Sequence, residues 1–143
     1  MNFQGVVMNV ADLSRSIDFY REVLDFKLLS EKEQLAAMSA PGSDRAQIIV
    51  LRAFGSSPMG GGRHVGLRAF LLDVESADQL ERIAGELDAR KLLVSRRDHN
   101  EWTAVVGRDP DRMAVVVAWH PGGWGNTEDS WRTLDDILYG IGE

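Results

Sequence analysis

Gly5-Val6-Val7-Met8-Asn9-Val10-Ala11-Asp12-Leu13-Ser14-Arg15-Ser16-Ile17-Asp18-Phe19-Tyr20-Arg21-Glu22-Val23-Leu24-Asp25-Phe26 reads as one strand feeding one amphipathic helix. Val6, Met8 and Val10 alternate with the period of a half-buried strand, and Leu13, Ile17, Tyr20 and Leu24 then recur at helical spacing. Asp12 stands just before the first periodic residue, where a carboxylate can accept from the open amides of a first helical turn.

The segments on either side extend this start into a larger unit. Lys27 to Glu33 and Leu35 to Ala40 read as two short strands with a tight connection, and Pro41-Gly42-Ser43-Asp44 as a turn. Ala46 to Arg52, with the continuous apolar run Ile48-Ile49-Val50-Leu51, is expected to be a strand buried on both faces. A Gly-, Ser- and Pro-rich stretch over 54–64 marks a linker, after which the opening pattern returns. Val65 to Val74 reads as a strand. Ser76-Ala77-Asp78-Gln79 has the form of a capping box, and Leu80, Ile83 and Leu87 each stand 63 residues after Ile17, Tyr20 and Leu24. Leu92 to Arg96, Glu101 to Gly107 and Arg112 to Trp119 supply three more strands. The fold class is therefore α+β, a tandem pair of βαβββ units. Residues 1–120 are expected to form one domain with units at 3–53 and 65–120, followed by a tail over 121–143 whose Trp131, Leu134, Ile137 and Leu138 share one helical stripe.

Composition bounds the function. The 143 residues suffice for a core without staples, and no apolar run approaches the roughly 18–20 residues of a membrane span. No basic leader precedes the first strand, so the expected location is the cytoplasm, with no membrane partner. The chain has no cysteine, which removes disulfides, thiolate metal sites and a cysteine nucleophile. A net charge of −6 disfavours nucleic acid as a partner and suits a neutral or cationic small molecule.

The stretch Val10 to Leu24, together with Gly107-Arg108-Asp109-Pro110-Asp111 before the last strand, resembles the vicinal oxygen chelate superfamily of glyoxalases, bleomycin-resistance proteins and extradiol dioxygenases. The resemblance covers about residues 3 to 120 and implies two small curved sheets forming a cup, the cupped mixed sheet of that fold. Two turn positions that the family usually gives to glycine carry Asp25 and Arg112 here. Such sites often need positive φ, which Asp tolerates better than Arg, so the second turn is expected to differ locally. Many members hold a divalent metal through His, Gln or Glu on the first, fourth, fifth and eighth strands. Those positions fall here on Gly5, on the apolar run Ile49 to Leu51, on Leu67 and on Val116. None offers a donor to a hard cation, so no cofactor is expected, a divalent metal held by other residues being the alternative.

Strand parity places Phe3, Gly5, Val7 and Asn9 on the cup side of the first strand, and Ala114, Val116 and Ala118, with His120 beyond them, on that of the last. The candidate ligand-binding residues are thus Val7, Asn9, Leu67, Trp102, Val116 and His120. Trp102 reads equally as a stacking ring or a core residue, and Asn9 equally as a cup residue or a partner for backbone. The candidate catalytic residues are His120 and Glu101, while His64 and His99 read as loop and hairpin residues. The leading expectation is a homodimeric, metal-free protein that binds a small organic molecule, as bleomycin-resistance proteins do. The alternative is a glyoxalase- or dioxygenase-like lyase, isomerase or oxidoreductase acting through His120 or Glu101. A regulatory module that meets a partner through the tail is a third reading.

Overall fold

The computed structural model describes residues 1, 4–42, 47–53, 67, 69–99 and 102–122. Phe3, the linker 54–64 with His64, Glu101 and the apolar stripe of the tail lie outside the described residues. The chain divides into two compact units, Met1–Pro58 and Met59–Glu143, a boundary inside the Gly-, Ser- and Pro-rich stretch.

The first unit contains β1 (Gly5–Val10), α1 (Leu13–Glu22), β2 (Lys27–Lys32), β3 (Leu35–Ser39) and β4 (Ile48–Ala53), its strands ordered β1-β4-β3-β2 in one sheet. β1 runs parallel to β4, and the other pairs are antiparallel. The second repeats this plan with β5 (Ala69–Asp73), α2 (Ala77–Ala89), β6 (Leu93–Asp98), β7 (Thr103–Arg108) and β8 (Ala114–Trp119), ordered β5-β8-β7-β6. Both copies even carry a register irregularity at one place, between Leu28 and Ser30 in the first and Leu93 and Ser95 in the second. The α+β fold of tandem βαβββ units read from the sequence is the observed one.

Each helix begins where a side chain can satisfy its open amides. Asp12 accepts from the Arg15 N–H at 3.0 Å, and Ser76 accepts from the Gln79 N–H at 3.1 Å while the Gln79 side chain accepts in return from the Glu75 N–H. Such a cap is worth about 1 kcal/mol. The caps lie 64 residues apart, and so do the buried pairs Ser16 and Leu80, Phe19 and Ile83, Tyr20 and Ala84, Val23 and Leu87. The helical offset is therefore 64 and not 63. The apolar stripe of α1 is wide enough, with Ile17 and Leu24 also buried, that a one-residue slip still matches apolar to apolar.

Helix α2 is three residues longer than α1, and the exits are 66 residues apart. Asp25, at φ 60°, ends the first helix in the left-handed region, and the Phe26 N–H turns back to the Tyr20 carbonyl at 2.9 Å. Lys91, at φ 59°, does the same for the second, with the Leu92 N–H on the Leu87 carbonyl at 2.8 Å. Lys91 is thus the counterpart of Asp25.

Alternation then decides what is buried. Met8, Val10, Ala36, Met38, Ile49 and Leu51 face α1, where Tyr20 packs edge-on between Phe19 and Phe26 at centroid distances of 5.2 and 5.7 Å. On β4 the intervening Ile48 and Val50 are half-buried and Arg52 is exposed, so the run expected to be buried on both faces is covered fully on only one. Helix α1 covers only the face that carries Ile49 and Leu51. Against α2 the second sheet sets Val105, Val115 and Val117, and Gly107 allows the closest approach. A Cβ there would stand 2.7 Å from both Cδ atoms of Leu87.

The turn before β8 is built on Asp109. Its buried carboxylate accepts from the N–H groups of Asp111 and Met113, both at 2.8 Å. Arg112 keeps the left-handed conformation at φ 70° despite its side chain, so the expected local difference does not occur. Its N–H donates to the Asp109 carbonyl at 3.0 Å, and its own carbonyl accepts from the Arg108 guanidinium at 2.8 Å. Those contacts hold a backbone that costs a non-glycine residue about 1–2 kcal/mol. Arg112→Gly is accordingly expected to raise stability by about 1 kcal/mol, and Gly107→Ala to lower it by about 1–3 kcal/mol, as read from urea unfolding midpoints. An unchanged midpoint for Arg112→Gly would mean that a disturbed Arg108 geometry offsets the relieved φ.

Candidate functional site

The face of each sheet opposite its helix is where strand parity puts the candidate ligand-contacting side chains. In the first unit, register sets Gly5 beside Ile48, Val7 beside Val50 and Asn9 beside Arg52, with Ser39, Ala37 and Leu35 next across the sheet. Val7 is 71% exposed and Leu35 47%, and Asn9 is exposed as well, so this face presents apolar side chains to solvent. In the second unit Ala69, Leu71 and Asp73 lie beside Ala114, Val116 and Ala118, followed on β7 by Arg108, Val106 and Ala104. Leu71 is 43% exposed and Leu67, just before β5, is 41% exposed.

The small residues of β7 and β8 do not leave open space. Ala104, Val106, Ala114, Val116 and Ala118 form a buried cluster against which Ala69 and Trp102 pack, and Val116 is 1% exposed. Trp102 precedes β7 instead of lying within it, and it stacks flat on His99, 5.2 Å between centroids with the planes 8° apart. The His99 N–H closes the hairpin on the Trp102 carbonyl at 2.8 Å. One ring face of Trp102 is therefore taken by His99.

His120 follows the last residue of β8, and continuing the register brings it opposite Trp102. Its Nδ1 accepts from the Gly122 N–H at 3.0 Å, so the neutral ring carries its proton on Nε2. Asp73 ends the parallel neighbour β5 on the same face and interacts electrostatically with His120. Desolvation pushes the Asp73 carboxyl above its usual value, and attraction to His120 opposes that rise. Asp73 was not among the sequence candidates. The signal that could have found it is its parity with Leu67 and Leu71 on a strand next to the one leading to His120.

The repeat also refines the comparison with metal-binding relatives. Gly5 and Ala69 each stand seven residues before a helix cap, and Val50 and Val116 occupy matching places on the two central strands. The repeat register thus gives Ala69, not Leu67, the place that Gly5 holds. None of these side chains has a donor atom, and among the described residues no three His, Asp or Glu side chains gather as a metal cluster. These residues do not fit a divalent ion. Gly5 is more than a missing ligand. A Cβ built on it would lie 1.7 Å from the Ile48 carbonyl oxygen, so β1 and β4 approach too closely for any side chain there.

The sequence model of the glyoxalase/bleomycin resistance protein/dioxygenase superfamily matches residues 3–117. The chain belongs to this superfamily. Solved structures with this fold include a glyoxylase/bleomycin resistance protein/dioxygenase domain from Frankia sp. EAN1pec, 21% identical with a TM-score of 0.71, the match covering 86% of this chain and 94% of that one. A lactoylglutathione lyase from Agrobacterium tumefaciens is 17% identical with a TM-score of 0.63, covering 87% of this chain and 96% of that one. A glyoxalase/bleomycin resistance protein/dioxygenase from Alicyclobacillus acidocaldarius is 17% identical with a TM-score of 0.58, covering 83% and 91% respectively. At these identities the likeness is one of fold. No curated protein matches the chain significantly. Among the described residues no helix is long and apolar enough to cross a membrane.

Restoring an imidazole at the superfamily's first ligand position is expected to fail for steric reasons. Gly5→His should broaden and lower the thermal transition and add no stoichiometric zinc or nickel by calorimetric titration. A well-folded variant that binds the metal would refute the close approach of β1 and β4.

Proposed function

We propose that this superfamily member binds an organic small molecule without a metal, holding it against the apolar sheet faces opposite the helices. The observation that carries this reading is the set Gly5, Val50, Ala69 and Val116, apolar at every place where metal-dependent relatives hold their ion, with Leu67, the place first read on the fifth strand, apolar too. In the first unit Val7 and Asn9 supply exposed contacts; in the second, taken by itself, Leu67 is exposed, Trp102 and His120 form a half-buried aromatic and polar edge, and Val116 is buried. Apolar faces of this kind select by shape with few polar anchors. Sequestration of the kind named for bleomycin-resistance proteins fits that chemistry, in a cytoplasmic homodimer.

Protein purified from cells is expected to contain no stoichiometric divalent metal by elemental analysis. An organic compound should be recoverable from it by solvent extraction and mass spectrometry. Val7→Asp should reduce the recovered compound about tenfold, the order expected when an apolar side chain no longer covers the compound's surface, with the melting temperature unchanged because Val7 faces solvent. One equivalent of tightly held metal would end the metal-free reading.

The nearness of Asp73 to His120 favours a second reading, a metal-independent isomerase or lyase in which the imidazole moves a proton. Turnover insensitive to chelators and abolished in His120→Ala would support it.

A further inference from the structure

We propose that the compound held on the open face of the first sheet is an organic anion, and that Arg52, with Asn9 and Lys32 near it, anchors its negative group. This rests on the reading that the sheet faces bind a small molecule, and adds the sign of that molecule's charge. Register decides what the face offers. Ala36 and Met38 are buried under α1, so their partners Glu31 and Leu28 share that side, while Lys27 and Lys32, paired with Ser39 and Leu35, take the open one. Asn9 and Leu35 flank Arg52 on its two sides. Three cations thus surround the apolar Val7, Val50 and Leu35, and among the described residues no strand position of this face carries a carboxylate. Glu33 stands in the turn between β2 and β3.

Lysines on an edge strand guard it against pairing with another chain, which accounts for Lys27 and Lys32 taken alone. Arg52 has no such duty, because β4 is an interior strand between β1 and β3. The repeat isolates it further. Val50 and Val116 occupy matching places, so two residues on Arg52 matches Ala118, and across the parallel pairs Asn9 matches Asp73. Where the second unit has a buried alanine beside an acid, the first has an exposed guanidinium beside an amide. Guanidinium and amide N–H groups are both donors to an oxyanion. Arg52 also interacts within the chain, and its five donors let one guanidinium serve both. It stands two residues, about 7 Å along the strand, from Val50, one of the places where metal-dependent relatives hold their ion. The chain's net charge of −6 favours a ligand of the opposite sign. At physiological salt, however, exposed charges beyond about 8 Å are largely screened, so the sign of the face outweighs that of the whole chain.

The test is a fluorescence titration of the full chain with two probes of similar shape, the anion anilinonaphthalene sulfonate and its uncharged counterpart phenylnaphthylamine. The sulfonate is expected to bind about tenfold more tightly, the order of one charge-assisted contact. Arg52→Gln should remove that advantage and leave phenylnaphthylamine binding unchanged, which also reports that the variant is folded. Lys32→Gln should reduce the advantage in part. Arg21→Gln, an equal loss of charge from α1, should change neither affinity. Equal affinity for the two probes, or a preference for the sulfonate that survives Arg52→Gln, overturns the anchor and leaves a small-molecule site standing. Binding of neither probe overturns the anchor and the small-molecule reading together. Sedimentation with phosphatidylglycerol vesicles that is lost in Arg52→Gln would assign the face to a membrane surface and overturn the soluble ligand.

Discussion

The parallel pairing of each unit's first strand with its last is the constraint on which the rest depends. In an order of β1-β4-β3-β2 the chain must leave β1, cross one face as a helix, and return at the far edge. One helix can cover one face only. Every strand is therefore obliged to alternate between residues that pack under the helix and residues that do not, and the pairs Val7–Val50 and Leu71–Val116 set the register of the second kind. The helix caps at Asp12 and Ser76 and the left-handed exits at Asp25 and Lys91 serve that crossover, fixing where it starts and stops.

Much of this was legible because it is local. A carboxylate or hydroxyl before an apolar periodic run, strands that alternate, and a glycine-rich break between two such patterns each have a short-range cause. What was misread depended on longer-range facts. The one-residue error in the helical offset came from the breadth of the α1 stripe, which hides a slip of one position, whereas the caps, being single residues, do not. The burial of β4 was overestimated because a continuous apolar run does not reveal what covers each of its faces. Arg112 was expected to distort its turn, but the buried Asp109 carboxylate binds the Asp111 and Met113 N–H groups while the Arg108 guanidinium binds the Arg112 carbonyl, and together they hold the shape.

The candidate site was legible in parity and less so in exposure. Period-2 reasoning put Val7, Asn9 and Val116 on the side away from the helices, which the register shares. It could not say that Val7 would be open to solvent and Val116 sealed within a cluster of alanines and valines, since that depends on what packs over each sheet. Nor could it connect Asp73 with His120, 47 residues apart in sequence and joined only by the parallel pairing of β5 with β8.

Alternation also explains how the superfamily's fold persists here while residues suited to its usual metal do not. Side chains that hold the fold and side chains that line the other face are interleaved along the same strands, so replacing donors by Gly5, Val50, Ala69 and Val116 leaves Met8, Leu51 and Val117 under their helices. At Gly5 the change has a further consequence, because the absence of a side chain lets the Ile48 carbonyl occupy the volume a ligand's Cβ would need. A valine can be exchanged for a histidine by one substitution of similar backbone demand, but Gly5 has become part of the strand pairing itself. The first strand thereby joins the two properties that alternation elsewhere keeps apart, and any side chain at this position would require β1 and β4 to separate.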